Sequence, residues 1–441
     1  MQLTSVEIGR SPDTQDMIRL TGRVTFRDGS SDAIWFDVPK RFRDDLTTSG
    51  NMWLSCLPPL ATVLEEPLRI SLPVDRLLYE NVHELMHIWQ CWYPGLRPAP
   101  IEADFLPGKA EPDGPRIAQF SSTGIDSIFT LLRHHPSVTP DAPFFVDDLL
   151  AIRGFEIPLA HAADFEQRRE RVRRLADEYE RELIVIHTNL QDFIWSRQIH
   201  VPMKQGMGEI PRSKNSWWGA ISHAPALGGV ALLLENRFRK VLISSTYRYR
   251  DVNRFPFCST ALTDHLLSTS HTNFFHFGAA FSRAEKAQLV AQSDVALQIL
   301  HCCFWAGRAD NCGACLKCLQ TMIALEIAGA LERCARFPTN KLDMSQVAKV
   351  FPEFIYSRVF YDELRELAAE KGRTEIVQAL DKAFDRLDRV KRRKRLGNWL
   401  TRKPLLWRLA APVRRATRKL KENTIGQPVP DMRKRLHLAE Q

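Results

Sequence analysis

Five of the nine cysteines crowd into one short stretch, His301-Cys-Cys-Phe-Trp-Ala-Gly-Arg-Ala-Asp-Asn-Cys-Gly-Ala-Cys-Leu-Lys-Cys318. Cys312, Cys315 and Cys318 recur at every third position, and Gly313 eases a tight turn between them. This knuckle spacing lets three sulfurs converge on one ion, with Cys302, Cys303 or His301 as the fourth ligand. Four thiolates around Zn²⁺ make a closed, tetrahedral and therefore structural site. An iron–sulfur cluster accepts the same four sulfurs. The remaining cysteines, Cys56, Cys91, Cys258 and Cys334, are isolated and are expected in the core.

A second segment suits an anion. The run Ile117–Phe120 reads as a strand, Ser121-Ser122-Thr123-Gly124 as a turn, and a helix is expected from Asp126. The start of a helix offers unpaired N–H groups and a partial positive charge, which favours phosphate. Small residues let the backbone approach the anion, and Ser122, Thr123 and Ser127 add hydroxyl donors. Asp126 would cap the helix or help to hold Mg²⁺. A well-capped strand–turn–helix junction without a ligand gives the same pattern.

Other polar positions fall where an α/β fold binds ligands. Ser245, Arg248, Arg250 and Asp251 follow an apolar strand and belong at the carboxyl edge of a sheet. The arginines suit phosphate or a carboxylate substrate, and Asp251 and Asp264 suit Mg²⁺ or a substrate amine. Asp147 and Asp148 are expected at the end of another strand on the same edge, and Lys204, Arg212 and Lys214 in a lid-like loop. His83-Glu84-Leu85-Met86-His87 matches the zinc metallopeptidase pattern, with Glu102 or Asp104 as a conceivable third ligand. Its helix also carries core-like Leu and Trp spacing, so ordinary helix residues explain it.

These residues need a scaffold. Strands are expected at Met17–Phe26 and Ala33–Val38 with Asp28-Gly29 as their turn, and helices at Pro59–Leu64 and from Arg76 to Trp92. From 115 to about 336, apolar runs at Ile117–Phe120, Pro143–Val146, Leu183–His187 and Lys240–Ser245 alternate with helical patterns at Asp126–His135, Phe165–Arg181 and Pro225–Asn236. That alternation argues for a parallel sheet covered by helices. Helices dominate after about 340, including a charged one near Thr374–Val390. The expected domains are an α+β region at 1–110, an α/β domain with the cysteine knuckle at 111–338, a helical region at 339–390, and a basic tail at 391–441.

The net charge of +9 belongs to that tail. Residues 389–421 hold fourteen Lys or Arg and no acid, so 9 − 14 = −5 for the rest. Interleaved Trp399, Leu405, Leu406, Trp407 and Leu409 suit an anionic membrane surface, while RNA or an acidic protein would match the charge equally. The longest apolar stretch, Ala224–Leu234, is too short to span a bilayer, and MQLTSVEIGR lacks the pattern of a secretion signal. The expectation is a cytoplasmic protein with a peripheral membrane association as one use of the tail.

Ser122-Thr-Gly-Ile-Asp-Ser127 resembles the Ser-Gly-Gly-x-Asp-Ser loop of the PP-loop ATP pyrophosphatases. The cysteine cluster resembles the zinc site of the 7-cyano-7-deazaguanine synthase family. There an aromatic follows the first cysteine, the next comes about nine positions on, and Cys-Gly-x-Cys-x-x-Cys completes the set. That selects Cys303, followed by Phe304, over Cys302. Ser282-Arg-Ala-Glu-Lys286 is similar to the family's basic-Ala-Glu segment, with Glu285 at the matching position. The family's Pro-Gly-Arg-Asn segment is missing, and Lys214-Asn-Ser-Trp-Trp-Gly-Ala stands in its place, which leaves the deazaguanine substrate open.

The resemblance implies a fold of the adenine-nucleotide alpha-hydrolase (HUP, PP-loop) type. It also implies ATP bound over Ser121, Ser122, Thr123, Gly124, Ile125, Asp126 and Ser127, with Asp126 and Ser127 closest to the chemistry. Substrate would fall to Ser245, Arg248, Asp251, Asp264, Glu285 and Lys286, and zinc to Cys303, Cys312, Cys315 and Cys318. The implied reaction splits ATP into AMP and pyrophosphate to activate a carboxylate or amide. A non-catalytic nucleotide-binding scaffold is the alternative, because Thr123 stands where the family has its first glycine. A β-branched residue forced to positive φ there would cost on the order of 1–2 kcal/mol.

Overall fold

The computed structural model describes residues 1–107, 116–142, 144–198, 217–254, 256–303, 310–352 and 355–401. The chain forms two compact units, Met1–Phe281 and Ser282–Gln441. The sequence-based boundary near 110 therefore falls inside the first unit, and the one near 338 inside the second.

The strands of the first unit are β1 (Gln2–Arg10), β2 (Met17–Thr25), β3 (Ser31–Pro39), β4 (Leu68–Ile70), β5 (Ile101–Glu102), β6 (Arg116–Phe120), β7 (Asp148–Arg153), β8 (Glu182–Thr188), β9 (Phe238–Ser244) and β10 (Asn273–Phe277). They make one ten-stranded sheet, ordered β10-β9-β6-β7-β8-β3-β2-β1-β4-β5. Neighbours from β10 to β8 are parallel, the β8–β3, β3–β2 and β2–β1 pairs are antiparallel, and β4 and β5 are again parallel to their neighbours. The protein is thus α/β with a mostly parallel sheet. Numbered among themselves, the five parallel strands run 3-2-1-4-5, and the order reverses between β6 and β9.

The crossovers are helical, as parallel pairing demands. The helix Ile125–Arg133 leads from β6 toward β7 and packs on β6 and β9. The helix Ala162–Glu178 leads from β7 to β8 and packs on both. One expected strand is displaced. Phe144–Asp147 is not strand, and β7 begins at Asp148 instead. Asp147 and Asp148 thus sit at the amino edge, opposite to the expected one. Asp148 is fully buried and pairs with Arg116 at 2.7 Å and Arg237 at 3.0 Å, while Asp147 accepts the Ile117 N–H.

Residues 1–107 are joined to this sheet rather than set apart. β3 pairs with β8 through Phe36↔Thr188 and Asp37↔His187. The Asn189 amide extends the pairing, accepting from Trp35 N–H and donating to the Ala33 carbonyl, each at 2.8 Å. The apolar run after Ala224 lies in the helix His223–Leu232, whose Gly228 and Gly229 let the helix Asn51–Cys56 approach closely. A Cβ on Gly228 would stand 2.3 Å from Ser55 Oγ, and one on Gly229 would stand 2.9 Å from Cys56 Cβ.

The second unit has no strand among its described residues. Its helices include Arg283–Val290, Leu316–Ile327, Ile355–Glu370 and Thr374–Thr401. In the last, Ile376, Leu380, Ala383, Leu387 and Val390 form the buried stripe, and Arg392, Arg393 and Arg395 beyond it are exposed. The rest of the basic tail, 402–441, lies outside the described residues.

Two expectations test this architecture. Gly154, just past β7, has φ +105°, and a Cβ there would fall 1.8 Å from the Thr188 carbonyl oxygen. Gly154→Ala should therefore destabilise the protein by about 3 kcal/mol or more, read as a lowered urea midpoint. His187 is buried, and desolvation, reinforced by Arg153, pushes its pKa down to about 4. The folded form resists protonation, so stability present above the unfolded pKa is lost as pH falls from about 6.5 toward 4. Between pH 7.5 and 5 this amounts to roughly 2 kcal/mol. His187→Gln should reduce the difference between urea midpoints at the two pH values; an unchanged difference refutes the assignment.

Candidate functional site

The loop after β6 leaves the sheet where the strand order reverses, the place at which open α/β sheets bind ligands. Ser121 continues the pairing with β7 through its N–H to the Leu150 carbonyl, and its buried Oγ has no partner. Thr123 then takes φ +58° and is fully buried, its Oγ1 donating to the Ser122 carbonyl at 2.6 Å. The positive φ considered from the sequence is therefore present, in a residue type that adopts it at a cost of about 1–2 kcal/mol. Gly124 returns to an extended conformation and is the N-cap of Ile125–Arg133, without a side-chain cap. Ile125 and Ser127 are buried, and Asp126 lies in the first turn of the helix.

Ser127 closes the loop from within. Its Oγ donates to the Gly124 carbonyl at 3.1 Å and lies 3.4 Å from both Ser122 N and Ser122 Oγ. Thr130 Oγ1 donates to the Asp126 carbonyl and lies 2.8 Å from Ser244 Oγ at the end of β9. The loop after β6 and the end of β9 are thereby brought together. Ser245 follows, buried, with its N–H donated to Phe277.

The other candidates on that edge divide. Arg248 is half-buried, and Asp251 is buried with Arg250 at 3.8 Å. Asp264 is fully buried and serves the fold. It lies 2.7 Å from His276 Nδ1, accepts from Ser259 Oγ at 2.9 Å, and accepts from Thr260 N–H at 3.2 Å. Those contacts occupy both carboxylate oxygens.

Sequence reasoning passed over Arg168. It lies in Ala162–Glu178, is almost fully buried, and donates to the Ser122 carbonyl at 2.8 Å. A signal was present: Arg168 and Arg171 share the buried stripe of Phe165, Val172 and Leu175, where arginine is unusual.

The second unit carries the cysteines. The Sγ atoms of Cys303, Cys312, Cys315 and Cys318 all lie within 4.8 Å of one another. Cys303 to Cys315 is 3.9 Å and Cys312 to Cys318 is 3.8 Å. Four sulfurs at about 2.3 Å from a tetrahedral Zn²⁺ stand roughly 3.8 Å apart, so the cluster could hold a metal ion such as zinc. Gly313 has φ +69°, and Pro338 leaves no room for a Cβ there without a shift. Backbone N–H groups of Ala314 and Cys315 point to Cys312 sulfur, and that of Cys318 to Cys315 sulfur, at 3.3–3.5 Å. These donors and the N-terminus of Leu316–Ile327 stabilise thiolate.

Cys302 lies beside the cluster, its thiol hydrogen-bonded to that of Cys318, and Asn311 Oδ1 accepts from its N–H at 2.8 Å and from its Sγ at 3.5 Å. Asn311 Nδ2 donates to the Leu300 and Arg336 carbonyls, which ties the two arms of the knuckle together. Phe304 lies outside the described residues, as do Lys204, Arg212 and Lys214. Glu285 forms a capping box with Ser282 at the start of Arg283–Val290, and Lys286 is buried beside it. Both belong to the second unit.

The histidine pair of the metallopeptidase pattern forms no comparable group. His83 Nδ1 lies 2.9 Å from the Tyr79 carbonyl, and His87 is exposed. Among the described residues, the four cysteines are the one group of three or more such side chains able to share an ion. Burial pushes the thiols of Cys56 and Cys258 up to about 12 and that of Cys334 to about 11, which suits core residues. Cys91 is exposed, contrary to expectation.

Among the described residues, no helix is long and apolar enough to cross a membrane. Comparison with known proteins finds no matching family model, no matching curated protein and no matching solved structure.

Metal content tests the cluster. Cys312→Ser combined with Cys315→Ser should take bound zinc from about one ion per chain to near zero. His83→Ala with His87→Ala should leave it unchanged. Loss of zinc in the histidine pair alone would reverse the assignment.

Proposed function

We propose that this chain is an ATP-dependent adenylating enzyme with a PP-loop of the HUP type, similar in kind to 7-cyano-7-deazaguanine synthases. The observation that carries the reading is the short Ser121–Gly124 loop, which joins β6 to a helix N-terminus at the reversal of strand order and turns through positive φ at the family's glycine position. ATP phosphates would lie against this loop, where backbone N–H groups and hydroxyls meet negative charge. Bound Mg²⁺, for which Asp126 is the candidate ligand, would offset charge on the pyrophosphate. A carboxylate or amide oxygen of the substrate attacks the α phosphorus, the α–β phosphoanhydride bond breaks, and pyrophosphate leaves. Displacement of AMP by a nucleophile then completes the transfer. Ser127 acts by keeping the loop closed, and Ser245, Arg248 and Asp251 are the substrate candidates on the same edge. Four thiolates leave no open position on a zinc ion, so its role is to fasten the second unit.

A nucleotide-binding scaffold without catalysis is the second reading, favoured by the strain at Thr123. Incubation with α-labelled ATP and Mg²⁺ separates the two. The enzyme releases labelled AMP, and Asp126→Asn or Ser127→Ala lowers that release by about tenfold or more. ATP binding without AMP, across carboxylate and amide acceptors, leaves the scaffold standing.

A further inference from the structure

We infer that Arg168 is the positioning residue of the phosphate loop, fixing the Ser122–Thr123 peptide from beneath so that the loop holds a nucleoside triphosphate rather than a monophosphate. The inference deepens the ATP reading and rests on it for the identity of the ligand.

Three observations converge on this residue. Arg168 lies on the buried face of Ala162–Glu178, which it shares with Phe165, Arg171, Val172 and Leu175. Burying a guanidinium is costly unless its position is used, and desolvation pushes its pKa down. An arginine nonetheless keeps its charge at neutral pH. Its Nη1 reaches the Ser122 carbonyl at 2.8 Å, across 46 residues of sequence, and lies 3.4 Å from Glu156 Oε2. The Ser122 carbonyl also accepts the Thr123 hydroxyl, so two donors converge on one oxygen. That oxygen belongs to the peptide preceding the residue at φ +58°. A strained conformation persists only where its surroundings over-determine it.

The arrangement places a cation behind the turn without making it a direct ligand. A planar, multi-donor guanidinium can hold the carbonyl and face Glu156 at once, whereas the point charge of a lysine cannot match both. Loss of the anchor should therefore be felt where the loop grips phosphate. On the proposed reading the loop meets the phosphates that leave as pyrophosphate, which AMP lacks.

The experiment compares full-length wild type, Arg168→Met and Glu156→Ala in two measurements. Hydrogen exchange at the Ser122–Gly124 amides, without ligand, should accelerate about tenfold in Arg168→Met. Glu156 is largely exposed, so Glu156→Ala is the variant least at risk of misfolding, and it should accelerate exchange about threefold. The dissociation constant of MgATP should rise about tenfold in Arg168→Met while that of MgAMP stays within about twofold, a split that general destabilisation would not produce. Unchanged loop exchange in the folded variants overturns the inference. Equal weakening of MgATP and MgAMP overturns it as well. Faster exchange in a protein whose wild type binds no MgATP retains Arg168 as the loop's anchor and sinks the ATP reading instead. If Arg168→Met does not fold, Glu156→Ala decides by the same two criteria, with threefold effects expected.

Discussion

Everything proposed for the first unit depends on the placement of β6 between two parallel partners, β7 on one side and β9 on the other. A parallel neighbour can be reached only by crossing over, so the chain leaves β6 in one direction and later returns on the opposite side. The carboxyl ends of β6 and β9 then lie side by side where the strand order reverses. The turn after β6 leaves the sheet there, and Thr130 and Ser244 bind the helix that follows it to the end of β9. Charge at the amino ends is handled separately. Arg116 and Arg237 close on the buried carboxylate of Asp148, which keeps that end structural.

Within the turn, conformational strain and burial work against each other. A threonine in the left-handed region is unfavourable, yet its hydroxyl binds the preceding carbonyl and its side chain is enclosed. A glycine would relieve the strain but would give up that hydrogen bond and add freedom to the unfolded chain. The loop therefore carries its own internal reinforcement. Ser127 supplies part of that reinforcement and Arg168 another part.

Elements with a strong local signature were legible in the sequence. The helix Arg76–Trp92 was read at its observed ends, because Asp75 caps it and its apolar residues keep a 3–4 spacing. The β2–β3 hairpin followed from Asp28-Gly29, where Gly29 takes φ +80° and Asp28 accepts from Ser30. Cys312, Cys315 and Cys318 were legible from their spacing, and the family resemblance selected Cys303 as the fourth member of the group. What escaped depended on tertiary context. β1 carries polar residues on its exposed face, β10 exposes Phe275 and buries His276, and β4 and β5 are too short to show a period. Asp147-Asp148 follows an apolar run and so reads as the end of a strand, and only Arg116 on β6 and Arg237 just before β9 show Asp148 to be a beginning. Membership of the first hundred residues in the larger sheet could not be read locally either. It rests on pairing between Phe36 and Thr188 and on the facing of two helices through Gly228 and Gly229.

That late pairing bears on how the molecule is made. The hairpin of β2 and β3 is synthesised early, but its partner strand emerges roughly 150 residues afterwards. At about 5–20 residues per second, the nascent hairpin waits on the order of ten seconds or more with one edge unclaimed. Until β8 arrives, that edge can pair with whatever extended chain is near, including another nascent copy. Biogenesis of this protein is thus exposed to mispairing on the ribosome, and holdase chaperones that bind extended apolar chain would be expected to matter most in that interval.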